Sequence, residues 1–445
     1  MLTPSRSRGT PPAALAALVA TALAFPLAAP TPADAQDASV RAAEARAKGV
    51  ALHQLKDYAG AVSAFTEALE LDPKDALAYF DRATSWAEVP DLDKATADYA
   101  EALKLDPKLA DAYIGLGRIY AAQGRIDEAV ADYSRAVEID PKDPLALFAR
   151  AQAETSRRSY AKALADYDAA IRLAPSSALF HLSRGDVRRA LGEHGKAVED
   201  FTRAIRLDPK LADAYDARAA VAFDQGKHLD AVADYGRALK IDPDDALAHL
   251  GRATALFELR EYDLAAADYG RALESAPELA DAYYGRARAL AQTGDFDRAA
   301  ADYDKALELA PDHPSARTGR GIVRLLQKRY ADAAADLDAA LQHNPDDAVA
   351  ATHRARLLAA SPDAKLRDGA RARELAEHAR ALTREAEPHA LAALAAADAE
   401  LGRFPTAVSW QAMALNLSRD PDERTKAQAR LDLYKQGKPL RDPAP

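Results

Sequence analysis

From residue 42 to residue 347 the apolar residues follow two nested rhythms. Over short stretches they return every three or four positions. Ala129, Tyr133 and Ala136 do so, as do Tyr99 and Leu103, which places each set on one face of a helix. Over longer stretches the whole pattern returns after 34 residues. Nine prolines keep that beat: Pro73, Pro107, Pro141, Pro175, Pro209, Pro243, Pro277, Pro311 and Pro345. Two alanine series, Ala61 to Ala333 and Ala68 to Ala340, run in step with them. So does an aromatic series of Phe65, Tyr99, Tyr133, Tyr167, Phe201, Tyr235, Tyr269 and Tyr303, with Leu337 in the ninth place. The nonapeptide LDPKLADAY stands at Leu105–Tyr113 and again at Leu207–Tyr215, three periods on.

Each period predicts two helices. The proline stops the second, because its ring clashes with the preceding turn and its nitrogen has no hydrogen to donate. Asp143 and Ser177 are placed to cap the helix that follows. Glycines such as Gly124 and Gly294 mark the turn inside the pair. A further series is small: Gly49, Ala83, Gly117, Ala151, Gly185, Ala219, Ala253, Ala287 and Gly321. Small residues let two antiparallel helices approach closely, so Gly117 is expected against Ala129, with the aromatics beside that contact. One such hairpin cannot bury both of its faces, and its neighbours must stack on it.

A small residue, Ala, an aromatic, Ala and Pro at a 34-residue period make this chain resemble the tetratricopeptide repeat (TPR) family. The resemblance implies an all-α fold. It would be an α-α superhelix (TPR solenoid) of about eleven helical hairpins with a C-terminal capping helix. It also implies a concave groove lined by the first helix of each repeat. The chain divides into a secretory signal peptide (1–35) and nine 34-residue repeats within 36–347, starting near 42. An expanded repeat with an inserted loop at 361–369 follows (348–386), then a terminal repeat (387–420) and a capping helix with a Pro-rich tail (421–445). The inserted loop and the Trp410-Gln411 pair resemble terminal repeats of some bacterial members of the family; a cap accounts for them better than a docking loop.

Two charged series depart from the common family pattern. Arg82, Arg150, Arg184, Arg218, Arg252, Arg286 and Arg320 stand where Leu is usual, and Leu116 keeps the family residue. Asp98, Asp132, Asp166, Asp200, Asp234, Asp268, Asp302 and Asp336 accompany them. Buried single charges are costly, so these read as a ladder of ion pairs between helices rather than as a row of anion sites.

The first residues have a different composition. Arg6 and Arg8 precede an apolar stretch from Ala13 to Ala29, and Ala33-Asp34-Ala35 offers a cleavage site after Ala35. The stretch contains Pro26 and falls short of the roughly 20 residues of a spanning helix, so a periplasmic or secreted mature chain with no transmembrane segment is expected. The net charge of −10 argues against a general nucleic-acid partner. With no Cys, disulfides and thiol chemistry are excluded.

No catalytic constellation emerges, and no metal, cofactor or enzymatic activity is expected. His181 and His249 stand where Tyr79, Tyr113, Tyr215 and Tyr283 stand in other repeats, so they read as packing variants. The Asp242–Asp245 run lacks the glycine and terminal glutamate of a calcium loop and reads as a cap. The residues that the resemblance would turn into the groove vary. One row contains Phe80, Ile114, Phe148, Leu182, Leu250 and Tyr284, another contains Arg118, Gln152 and Arg288, and small residues such as Gly115, Gly251, Gly285 and Gly319 lie between them. Small residues flanked by exposed apolar groups suit an extended or helical polypeptide. The expectation is a scaffold that binds an unidentified protein or peptide in this groove; the alternative is a self-associating structural subunit of the cell envelope.

Overall fold

The computed structural model describes residues 32–383 and 387–443, with side chains from Gln36 onward. The segment expected as a signal peptide lies outside the described residues, apart from the backbone of Pro32–Ala35, which opens the first helix. All regular structure among the described residues is helical. The chain forms two compact bodies, Met1–Lys142 and Asp143–Pro445.

The first body holds α1 (Pro32–Gln54), α2 (Tyr58–Leu71), α3 (Ala76–Glu88), α4 (Leu92–Leu105), α5 (Ala110–Ala122) and α6 (Ile126–Ile139). The second holds α7 (Pro144–Ser156), α8 (Tyr160–Leu173), α9 (Ala178–Ala190), α10 (His194–Leu207), α11 (Ala212–Asp224), α12 (His228–Ile241), α13 (Ala246–Glu258) and α14 (Tyr262–Ser275). It continues with α15 (Ala280–Thr293), α16 (Phe296–Leu309), α17 (Ala316–Leu326), α18 (Tyr330–His343), α19 (Ala348–Ala360), α20 (Gly369–Leu382), α21 (Pro388–Glu400), α22 (Phe404–Leu417) and α23 (Pro421–Lys435). Successive odd and even helices pair as hairpins, which stack within each body as an all-α solenoid. The last helix, α23, closes the second body against α22.

Local chemistry sets the turns. Asp143 caps α7 by accepting from the Leu145 amide at 2.8 Å, and Asp245 caps α13 through Leu247 and Ala248. Ser177 makes no such bond, so that expected cap is absent. Inside the hairpins one residue adopts positive φ: glycine at Gly124, Gly192, Gly226, Gly294 and Gly402, but Lys56, Arg158, Arg260 and Lys328 elsewhere. Those four cations hold a conformation that L-residues disfavour.

The aromatic series bolts the solenoid together. A Cβ on Gly117 would fall 2.6 Å from the Tyr133 ring, and one on Gly185 2.5 Å from the Phe201 ring. The small residue of a first helix therefore seats the aromatic of its own second helix, rather than simply facing an alanine. The ring tip reaches the next hairpin. Tyr99 fills the space over Gly115, and Tyr235, Tyr269 and Tyr303 do the same at Gly251, Gly285 and Gly319, each within 2.5 Å of where a Cβ would lie. These rings are all nearly or fully buried.

The Arg and Asp series form the expected ladder. Each of the seven arginines meets the Asp sixteen residues later through both Nε and Nη2, at 2.5–3.0 Å. Nη1 of several also reaches back to the preceding hairpin. Arg82 bonds Thr66, Arg184 bonds Asp168, Arg218 bonds Thr202 and Arg320 bonds Asp304. Where that place holds Gly236 or Gly270, Arg252 and Arg286 have no side chain there to grip. Leu116 offers no guanidinium, so Asp132 keeps one buried oxygen without a hydrogen bond, and burial pushes its pKa up to about 6. His181 and His249 are buried packing variants, with Nε2 at 3.4 and 3.1 Å from the carbonyls of Pro175 and Pro243.

At the C-terminal end Gln411 is wholly buried and donates to the Ala427 carbonyl, joining α22 to α23. The inserted loop carries one 3-10 turn, Ala364–Leu366, and is pinned by Arg367, which contacts Glu400 and the Ser361 carbonyl. The tail then doubles back. The Asp442 amide donates to the Ala360 carbonyl, its carboxylate meets Arg356 at 2.8 Å, Arg441 meets Glu400 at 2.6 Å, and the Tyr330 hydroxyl donates to the Pro443 carbonyl.

Candidate functional site

In the second body the first helices α7, α9, α11, α13, α15, α17, α19 and α21 touch one another in sequence, and no comparable packing joins successive second helices. The first-helix face is therefore the inside of the curve. The structure places the expected groove residues on it unevenly. Phe148 and Leu182 are buried, Leu250 and Tyr284 are half-buried, Arg288 is half-buried and Gln152 is exposed. Phe148 stacks on Phe180 with centroids 4.6 Å apart and tilts against Tyr167. In the first body Ile114 is buried, Phe80 is half-buried against Tyr99 and Arg118 is exposed.

Two expectations about this surface need correction. Ile114, Phe148 and Leu182 are not open apolar groups, because their neighbours cover them. The glycines between the rows do not leave room down to the backbone, because tyrosine rings from the preceding hairpins occupy that space. The glycine signal marks an internal packing need, and a sequence cannot distinguish it from an open floor.

What stays open is more local. A cavity of about 310 Å³ is lined by Phe257 of α13, Tyr284 and Arg288 of α15, Thr318 and Ile322 of α17, and Asp347 at the start of α19. The Arg288 guanidinium lies 4.2 Å over the Phe257 ring and 5.7 Å from the Tyr284 centroid. It makes no ion pair among the described residues, so its donors remain available. Thr318 donates to Asp347 at 2.6 Å and fixes the far wall. A smaller cavity of about 160 Å³ lies in the first body beside Phe80, His53 and Phe65.

The inner face of the second body also changes sign along its length. Burial raises the pKa of Asp186, and burial together with Asp245 and Asp213 pushes Asp216 up to about 7. Asp186, Asp213 and Asp216 gather carboxyl groups on α9 and α11, with Arg189 4.0 Å from Asp186, whereas α15 presents the Arg288 guanidinium. Asp216 occupies the row of Phe80 and Leu182, a carboxyl group among apolar anchors. Among the described residues no group of three His, Asp or Glu side chains is placed to hold a metal ion, and no helix is long and apolar enough to cross a membrane.

Stacked helical hairpins joined by a recurring buried aromatic define a tetratricopeptide repeat protein. Models described as tetratricopeptide repeat match residues 42–75, 148–212, 250–314 and 284–348, and one described as TPR repeat matches 91–124, 117–155 and 220–259. Together they span more than half of the chain, which belongs to the tetratricopeptide repeat family. No curated protein matches it in sequence.

Solved structures similar to it include YrrB, described as a TPR protein with an unusual peptide-binding site. It is 25% identical, over 42% of this chain and 96% of that one, at a TM-score of 0.38. Yeast Tom70 is 19% identical, covering 89% of this chain and 96% of its own, at 0.38. The Cut9–Hcn1 hetero-tetramer of the APC/C is 16% identical, covering 89% and 90%, at 0.48. The repeats support a protein–protein interaction scaffold as the general role.

Proposed function

We propose that the chain is a non-catalytic scaffold that binds an extended or helical peptide along the inner face of the second body. The observation that carries this reading is the Phe257–Tyr284–Arg288 cavity. There a guanidinium without a carboxylate partner is held between two rings, beside an open apolar wall. The sign change along the face favours a ligand with an acidic or carbonyl-rich segment over α15 and a basic residue toward Asp186 and Asp216. The scaffold acts outside the cytoplasm, in the periplasm or secreted; Arg6, Arg8 and the apolar stretch to Ala29 support that placement.

A peptide-display selection on the full chain tests the binding role. Selected peptides should lose at least about tenfold in affinity for Tyr284→Ser and Arg288→Gln, with helical content unchanged by circular dichroism. Peptides that bind both variants as tightly as the parent would remove the inner face as the site. The mass of the protein recovered from an expressing cell tests the placement, since a chain retaining residues 1–35 contradicts it.

A further inference from the structure

A second cavity, of about 370 Å³, opens among α17, α19, α21 and α23, well along the chain from the peptide cavity. Its wall carries four basic side chains from three different helices: Arg356, His389, Lys426 and Arg430. Glu423, Thr352 and His353 also line it, and Leu326, Ala392, Ala393, Ala396 and Leu440 form its apolar part. Two of the cations have partners, Arg356 in Asp442 at 2.8 Å and Lys426 in Glu423 at 2.8 Å. His389 is held by Glu387 at 2.7 Å, and that hydrogen bond raises its pKa.

Arg430 makes no hydrogen bond and no ion pair among the described residues. It is half-buried, and burial together with the nearby Arg356 charge lowers its pKa. The Nε of Arg356 is also buried without a hydrogen-bond partner. His353, on the same wall, is kept neutral by burial and by Arg356, its pKa pushed down to about 4. Two guanidiniums near each other, the Arg430 one half-buried, repel, and a further anion set between them would relieve that repulsion. Asp442 of the returning tail pairs with Arg356 and Glu423 pairs with Lys426; both carboxylates attract Arg430 through space, but among the described residues neither forms an ion pair with it.

We propose that this cavity binds an oxyanion, a carboxylate or phosphate group on a small organic ligand. Arg430 grips the charged group, Lys426 and His389 stand beside it, and the ligand's carbon skeleton lies against Leu326, Ala393 and Leu440. A guanidinium presents a planar fork that matches either oxyanion, which fits this role better than an ammonium would. The site is independent of the peptide cavity, because it shares no lining residue with it.

Calorimetric titration of the full chain with inorganic phosphate and with glutarate, against sodium chloride at matched ionic strength, tests this. At least one probe should bind saturably, one per chain, and the stronger probe identifies the group the site takes. Arg430→Gln should weaken that binding at least about tenfold. Arg430→Lys, which keeps the charge and loses the fork, should fall between. Arg271→Gln, on an exposed face of α14 away from both cavities, should leave it unchanged. If Arg430→Gln does not fold, Arg430→Lys and Lys426→Gln carry the test, and both must weaken binding. Absence of saturation with either probe, or equal binding by the parent and all Arg430 and Lys426 variants, overturns the proposal.

Discussion

Asp132 is the one member of the Asp series that meets Leu116 instead of an arginine at the ladder position, and it makes the ladder's energetics measurable. Replacing it with asparagine removes a charge that nothing neutralises. Its pKa is raised from 3.8 to about 6, so the folded state holds the proton more tightly than the unfolded chain. The ionised carboxylate therefore destabilises the fold. The cost is absent below the unfolded pKa, grows between there and about pH 6, and is complete above it. A shift of about two units corresponds to about 3 kcal/mol for a sealed group, and solvent reaching this half-exposed side chain reduces that to ~1 kcal/mol.

Asp132→Asn should therefore stabilise the first body by ~1 kcal/mol at pH 7.5 and leave it unchanged at pH 3.5. Asp268→Asn, which breaks a paired rung, should destabilise at pH 7.5. Repeat arrays open in parts, so amide hydrogen exchange in α5 and α6 is the appropriate readout, with urea unfolding as a second. Leu116→Arg supplies the missing partner. It should bring the Asp132 carboxyl down below its ordinary value by carbon-13 NMR, even though a buried Leu worth about 2 kcal/mol is lost. An Asp132→Asn variant that is less stable at pH 7.5, or equally stabilised at both pH values, would refute this account of the ladder.

Other outcomes follow from the packing. Arg260→Gly relieves a positive-φ cation and should raise stability by about 0.5–1 kcal/mol, read from the urea midpoint. Gly285→Ala should cost about 1–3 kcal/mol, because the new methyl would lie 2.4 Å from the buried Tyr269 ring; Gly195→Ala meets nothing within 4 Å and should gain a few tenths to about 1 kcal/mol. A selected peptide whose Lys faces Asp216 should bind more tightly at pH 8 than at pH 6, because the carboxyl ionises near 7, and Asp216→Asn should flatten that dependence in a fluorescence titration.

Much of the fold was legible because it repeats. The prolines, alanines and aromatics each recur in register, so a stop signal or a core position was read nine times over, and the ladder's one omission at Leu116 was visible as a break in a series. The candidate site was legible only in part. Phe80, Leu250, Tyr284 and Arg288 reach the inner face with some surface free, whereas Ile114, Phe148 and Leu182 were assigned to the same row and turned out to be covered. Periodicity specifies which face a residue takes but not how far its neighbours lean over it. The oxyanion cavity left no signal of this kind, since Arg356, His389 and Arg430 belong to segments outside the regular repeats and meet only through tertiary packing.

The two glycines opposite Arg252 and Arg286 give the second body an uneven mechanical profile. At most joints a guanidinium also ties neighbouring hairpins together, but at these two the aromatic bolt acts without that brace. Yet at these two joints, on either side of α13 and α14, the helices pack against each other more extensively than at the other joints between regular repeats of this body, so the peptide cavity is framed by seams closed through apolar packing rather than through charge. Concentrated salt should therefore loosen the other seams of this body before the two that frame the cavity.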